Sequence, residues 1–362
     1  MSQHSQVYQW YQQIAERMPL GKWQAYGLAL FSLGIVWSEH SWLSKIAERL
    51  WWAGKADTVE RRLQRWIANP RIQMEPCCRA WSKWVLNSLK DARQIILLVD
   101  LTKLSDRMDV LVVGLAYRQR CIPLAWRCLS GNRPWPRGQV SLIAELLSWV
   151  AAGVPAGLVP VVEADRGIGN SSSLMKAVSA LNWHFLFRVK ASSLLRQPDG
   201  AVVALADLIR PGKSWTGHGL LFPHSHPLPV SVHLLWRRAM SEPWCLVTNA
   251  PQVSGHLYAA RVWQEESFRD LKSGGLRWQR SLLRRPAHAE RLLLLLALAY
   301  AWLVSLGTRA IRAGKATLRD LTRGRRRTYS VFRLGLRYLH HLRSQRRPPP
   351  LSLFFRPNLS HF

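Results

Sequence analysis

Residues 94–100 read QIILLVD, a continuous β-branched and leucine run closed by an acid. A run this apolar has no polar face to turn to water, so it predicts a buried strand with Asp100 at its C-terminal end. The segments that follow keep the theme. VLVVGLAY (110–117) and RCIPLAWRCL (120–129) read as further strands, and GQVSLIAELLSWVAAG (138–153) as a helix closed by glycine. LVPVVEADRGIGN (158–170) is another strand ending in an acid, Asp165, before a glycine-bearing turn. SSSLMKAVSALN (171–182) then predicts a helix and WHFLFRVK (183–190) a strand. Strands alternating with helices make this stretch α/β.

The flanks differ. Residues 1–93 look helical, with the apolar QAYGLALFSLGIVW and the basic amphipathic ADTVERRLQRWIANPRI, broken at Pro70. Between about 191 and 250 the composition shifts to Pro, Gly, His, Trp and short alternating runs such as LPVSVHLLW, a β-rich interruption. Leu292 to Gly307 is an uncharged apolar run, shorter than the roughly 18–20 residues that span a bilayer, and reads as a buried core helix. Beyond 307 the chain is strongly basic and runs into prolines.

Charge narrows the partners. Lys and Arg outnumber Asp and Glu 51 to 21 across 362 residues, a formal charge of +30. A polyanion relieves that self-repulsion, and nucleic acid is the leading candidate. A membrane surface is the weaker one. Five cysteines without a CxxC pair speak for a reduced, cytoplasmic protein and against a zinc module or disulfide framework. The histidines of HSH (224–226) have no companion ligands, and MSQHSQVYQW lacks the layout of a signal peptide.

Asp100 and Asp165 share a context, since each sits where an apolar strand runs out, the edge at which open α/β sheets gather ligands. With a third carboxylate from a nearby helix they would hold two divalent cations for phosphodiester chemistry, and oxygen ligands suit magnesium. Either aspartate alone serves as well as a turn or helix-cap residue.

YAARVWQEESFRDLK (258–272) supplies the third. At about 100° per residue, Arg261, Glu265 and Lys272 fall roughly 60°, 20° and 40° to one side of Tyr258, so one helix would present all four on one face. An exposed ladder of Arg261, Glu265 and Arg269 fits the same spacing. Glu266 lies about 100° around from Glu265.

The spacing Y-x2-R-x3-E-x6-K resembles the signature of DDE transposases of the insertion sequence 4 family, related to the transposon 5 enzyme. FRDLKSGGLRWQ, VDLTKL and EADRGIG also look like that family, over roughly residues 60–300. Val262 and Gln264 depart from it, where the family often carries an aromatic after the arginine and an aliphatic before the glutamate. The resemblance implies an RNase H-like core in two parts (93–190 and 256–307) interrupted by a β-rich insertion (191–255). A helical, basic DNA-binding region (1–92) and a basic helical C-terminal region (308–362) would flank it. It implies Asp100, Asp165 and Glu265 as catalytic metal ligands for two Mg2+ ions, with Mn2+ as a substitute. Tyr258, Arg261 and Lys272 would grip phosphates. PWCLVTNA resembles the family strand whose tryptophan stacks on a flipped base, which would be Trp244; a buried sheet side chain is the other reading of that residue. Implied too are cut-and-paste transposition through a hairpin, double-stranded DNA partners (terminal inverted repeats and target), and a homodimer synapsing two ends. An inactive transposase-derived DNA-binding protein is the alternative; an RNA-binding basic protein would leave the three acids unexplained.

Overall fold

The computed structural model describes residues 2–322 and 329–356. Five helices come first: α1 (Gln3–Ala15), α2 (Lys22–Ser38), α3 (Leu43–Arg49), α4 (Ala56–Ala68) and α5 (Met74–Asn87). The apolar segment forms α2, buried from Leu28 through Trp37 because it has no polar face. The amphipathic segment forms α4, which buries Val59, Leu63, Trp66 and Ile67 and stops short of Pro70. Tryptophan indoles tie these helices down. Trp10 donates to Ser32 Oγ at 3.2 Å, and Trp81 of α5 donates to the Pro123 carbonyl at 2.8 Å.

The α/β stretch folds as β1 (Gln94–Ser105), β2 (Met108–Tyr117), β3 (Arg120–Ser130), α6 (Gln139–Ala151), β4 (Val159–Ala164), α7 (Arg166–Gly169), α8 (Ser172–Ala180) and β5 (His184–Val189). β1 outruns its expected end at Asp100, because antiparallel pairing with β2 carries the strand on through Thr102↔Val110 and Lys103↔Asp109. Asp100 is therefore a mid-strand residue. The β-rich stretch supplies β6 (Leu194–Arg196), β7 (Val202–Ala204), β8 (Ser214–Leu221), β9 (Leu228–Leu235) and β10 (Trp244–Thr248). Its strands extend the same sheet, since β10 pairs antiparallel with the open edge of β5. The result is one mixed, mostly antiparallel ten-stranded sheet, ordered β3-β2-β1-β4-β5-β10-β9-β8-β6-β7. Its parallel pairs are β1–β4 and β4–β5.

A 3₁₀ segment, Gly255–Arg261, leads into α9 (Val262–Leu271), followed by α10 (Pro286–Arg312), α11 (Lys315–Leu321) and α12 (Val331–Ser344). The apolar run lies within α10, whose 27 residues exceed the expected length, and 94% of its most apolar window is buried. The basic C-terminal region is helical, as expected, and also contributes to the core. α12 turns Val331, Phe332, Leu336 and Leu339 into the core beside α10. A Cβ at Gly335 would run into the Leu303 carbonyl, so glycine lets the two helices cross at backbone contact. Residues 323–328 and 357–362 of that region lie outside the described residues.

Candidate active site

The parallel ladder between β1 and β4 ends at the pair Val99↔Ala164. Asp100 is the next residue of β1 and Asp165 directly follows β4, so the sheet itself delivers the two acids to one place. Asp165 is also the N-cap of α7, its Oδ1 accepting the Ile168 N–H at 3.0 Å. The cap reading is realised there, and it leaves Oδ2 for another partner. Asp100 Oδ1 accepts the Leu101 N–H at 2.8 Å.

Arg261 joins the two acids. Its Nη2 stands 2.7 Å from Asp100 Oδ1 and 3.8 Å from Asp165 Oδ2. Burial pushes the Asp100 carboxyl above its usual range, with the Arg261 charge pulling the other way. Burial works against the Arg261 charge as well, yet Asp100 and Asp165 together hold its pKa above the ordinary value.

The tyrosine–lysine stretch is not one α-helix. Ser254 Oγ accepts the His256 N–H at 3.3 Å and opens the 3₁₀ segment, which gives way to α9 after Arg261. In a 3₁₀ turn residues i and i+3 eclipse, so Tyr258 and Arg261 still share a side. That side is buried. Tyr258 packs among Val161, Leu186 and Leu246, and its ring meets Trp244 edge-on at 5.4 Å. Burial raises its hydroxyl pKa. Trp244 opens β10 and is half-buried. Lys272 follows α9, its Nζ donating to Thr102 Oγ1 at 2.6 Å and to the Lys103 carbonyl at 2.5 Å. Burial lowers its pKa, and Asp100 opposes that shift.

Glu265 stands apart, exposed on the first turn of α9. The helix is fixed by its inner face. Asp270 Oδ2 accepts from Arg120 Nε at 2.6 Å and from the Tyr300 hydroxyl at 3.4 Å, while Ser267 Oγ accepts the Cys121 N–H at 2.6 Å. That rotation buries Gln264 and turns Glu265 outward. The alternative ladder is rearranged too, since Arg269 pairs with Glu266 at 3.0 Å and Arg261 with the aspartates. Among the described residues, no three His, Cys, Asp or Glu side chains gather closely enough to hold a metal ion. The donor chemistry of Asp100 and Asp165 does fit a hard divalent cation, and Arg261 is the cation that lies between them here.

Further charged neighbours of the site stand outside the sequence motifs. Glu163 of β4 is fully buried, and burial pushes its carboxyl well above the usual range against the pull of Arg261. Its signal was an acid inside an apolar run. Glu242 pairs with Arg166 at 2.6 Å and Arg188 at 2.7 Å, beside Trp244, and no local pattern marks that cluster.

Residues 141–302 match the family model for the transposase DDE domain. The match takes in Asp165, Trp244, Tyr258, Arg261, Glu265 and Lys272, and begins after Asp100. No curated protein matches the chain. Over that stretch the chain is similar to a transposase DDE domain, and the match supports a DDE transposase.

Proposed function

We propose that the chain is a transposase that cuts an insertion sequence out of double-stranded DNA and joins it to a target, with Asp100, Asp165 and Glu265 as the metal-binding acids. The observation that carries this reading is the meeting of Asp100 and Asp165 at Arg261, one residue past the end of the parallel ladder. Two magnesium ions, or manganese in their place, would activate the attacking oxygen and stabilise the leaving one. The chain's own residues then orient the DNA. Lys272, tied to β1 just beyond Asp100, brings a cation to the phosphate beside the scissile bond. Tyr258 backs Trp244, whose half-exposed ring offers a stacking surface to a base displaced from the cut end.

The first cut frees a 3′-hydroxyl, which attacks the opposite strand to close a hairpin. Hydrolysis opens the hairpin, and the 3′-end then joins target DNA. All four steps are in-line displacements at phosphorus, so one acid set serves each of them. A dimer holding two terminal repeats fits the same account. The exposed Arg61 and Arg65 of α4 edge a cleft of about 800 Å³ that also takes in Thr58, Gln64 and His288, a surface suited to DNA phosphates.

One observation favours the second reading, a transposase-derived DNA-binding protein without turnover: Glu265 is exposed and outside the pair formed by the other acids. A time course in magnesium on an end-labelled DNA fragment bearing the flanking repeats separates the two. Nicked, hairpin and flush-cut species appearing in that order support the transposase, whereas binding without any cleavage leaves only the DNA-binding reading.

A further inference from the structure

Beside the acids, five buried polar atoms have no hydrogen-bond partner among the described residues: both carboxyl oxygens of Glu163, Nε and Nη1 of Arg261, and Oε1 of Gln264. Buried polar groups are almost always paired, so such a cluster calls for an explanation. Arg261 spends only Nη2 on Asp100 and Asp165. Three of its five N–H bonds, on Nε and Nη1, are left over. Glu163 lies opposite Leu98 in the β1–β4 register, and Leu98 is two residues from Asp100. Side chains two apart emerge on one sheet face, so Glu163 projects from the face that Asp100 and Arg261 occupy. Arg261 is also the charge that acts on Glu163. Unused donors on one side chain and unused acceptors on its neighbour mark a pair with a second arrangement.

We propose that Glu163 is a positioning residue for Arg261, accepting its Nε and Nη1 hydrogens when a divalent cation takes over Asp100 and Asp165. The inference rests on the reading of those aspartates as metal ligands. Two positive groups cannot share the oxygens of Asp100 without repulsion. A second acceptor inside the fold draws the guanidinium away and leaves the carboxylates to the cation. Glu163 thereby favours cation binding without touching the cation or the DNA.

Manganese titration of the full-length protein without DNA, followed by electron paramagnetic resonance, tests this alongside thermal unfolding without cation. Glu163→Gln replaces one acceptor oxygen by an amide donor that faces the arginine's own donors. It should weaken manganese binding about tenfold or more, the usual scale for residues that orient metal ligands. Its unfolding temperature without cation should not fall, because the carboxyl has no partner there to lose. Glu163→Asp keeps both acceptor oxygens and should lose less affinity. Asp100→Asn marks the failure of the underlying reading. If wild type shows no manganese site that Asp100→Asn removes, the metal-ligand reading and this inference fall together. If Asp100→Asn loses the site while Glu163→Gln binds as wild type does, this inference alone is overturned. Equal affinity losses in Glu163→Gln and Glu163→Asp, or a fall in unfolding temperature with affinity unchanged, would mean a packing role and also overturn it.

Discussion

Replacing Arg120 by methionine should destabilise the protein by an amount that grows with pH. Arg120 of β3 donates to Asp270 of α9 at 2.6 Å, and the two side chains are only 11% and 9% exposed. Methionine keeps most of the apolar stem and removes the charge. Breaking a buried pair by deleting one partner costs about 3–5 kcal/mol, because the other charge is left uncompensated. Asp270 has an escape, since it can take up a proton. Burial already raises its pKa above the usual carboxylate value, and Arg120 is the largest opposing influence. Without Arg120 the folded-state pKa rises further. For a raised carboxyl, stability is intact below the unfolded pKa of about 3.9 and is lost as pH rises toward the folded pKa. One proton gives at most about 1.4 kcal/mol per pH unit, so the full loss spreads over roughly two to four units. Urea unfolding of both proteins at several pH values from 4 to 8 measures the difference, and the rest of the chain's titration cancels in it. A gap near zero at pH 4 that widens to several kcal/mol at pH 8 is expected. A gap equal at both ends would mean that Asp270 does not titrate against Arg120, and would reduce Arg120 to a packing residue.

Trp244→Ala should nick a labelled DNA end near normally but form or resolve hairpins poorly, because a stacked base is worth about 1–3 kcal/mol and only the hairpin displaces one. Uniform slowing of every species would instead make Trp244 a support for the Tyr258 ring it meets. DNA affinity should fall steeply with salt, as expected for a chain of formal charge +30. Arg61→Gln with Arg65→Gln should flatten the log–log slope by about one to two, and an unchanged slope would remove α4 from the interface.

Most of the α/β scaffold was legible because buried strands and helices leave strong local patterns. The runs at 94–100 and 158–164 became β1 and β4, and the run at 292–307 lies in α10. Where the sequence misled, the cause was a contact made at long range. Asp100 read as a strand end because the apolar run stops there, but pairing with β2 prolongs the strand. The end that matters for Asp100 is that of the β4 ladder, visible only once the strands are assembled. The even 100° spacing of Tyr258, Arg261, Glu265 and Lys272 failed because its first turn is 3₁₀, and the rotation of α9 is set by Asp270 and Ser267 on its inner face. The C-terminal region reads as basic and helical, with more arginines than leucines, and nothing in that composition says where it packs. α12 nonetheless gathers its apolar residues on one side and buries them. Glu163 carries one local sign, an acid inside an apolar run, but only its burial separates it from the end of that run.

In the proposed reaction three acids cut DNA, two of them already together and the third on the outward turn of α9. Magnesium-dependent nicking of a repeat-bearing fragment by Asp100→Asn, Asp165→Asn, Glu265→Gln and Glu266→Gln tests it most directly, with DNA binding measured alongside. The first three variants should bind DNA but not nick it. Glu266→Gln, which among the described residues loses ion pairs with Arg269 and Arg120, should still nick. Wild-type nicking by Glu265→Gln would contradict it.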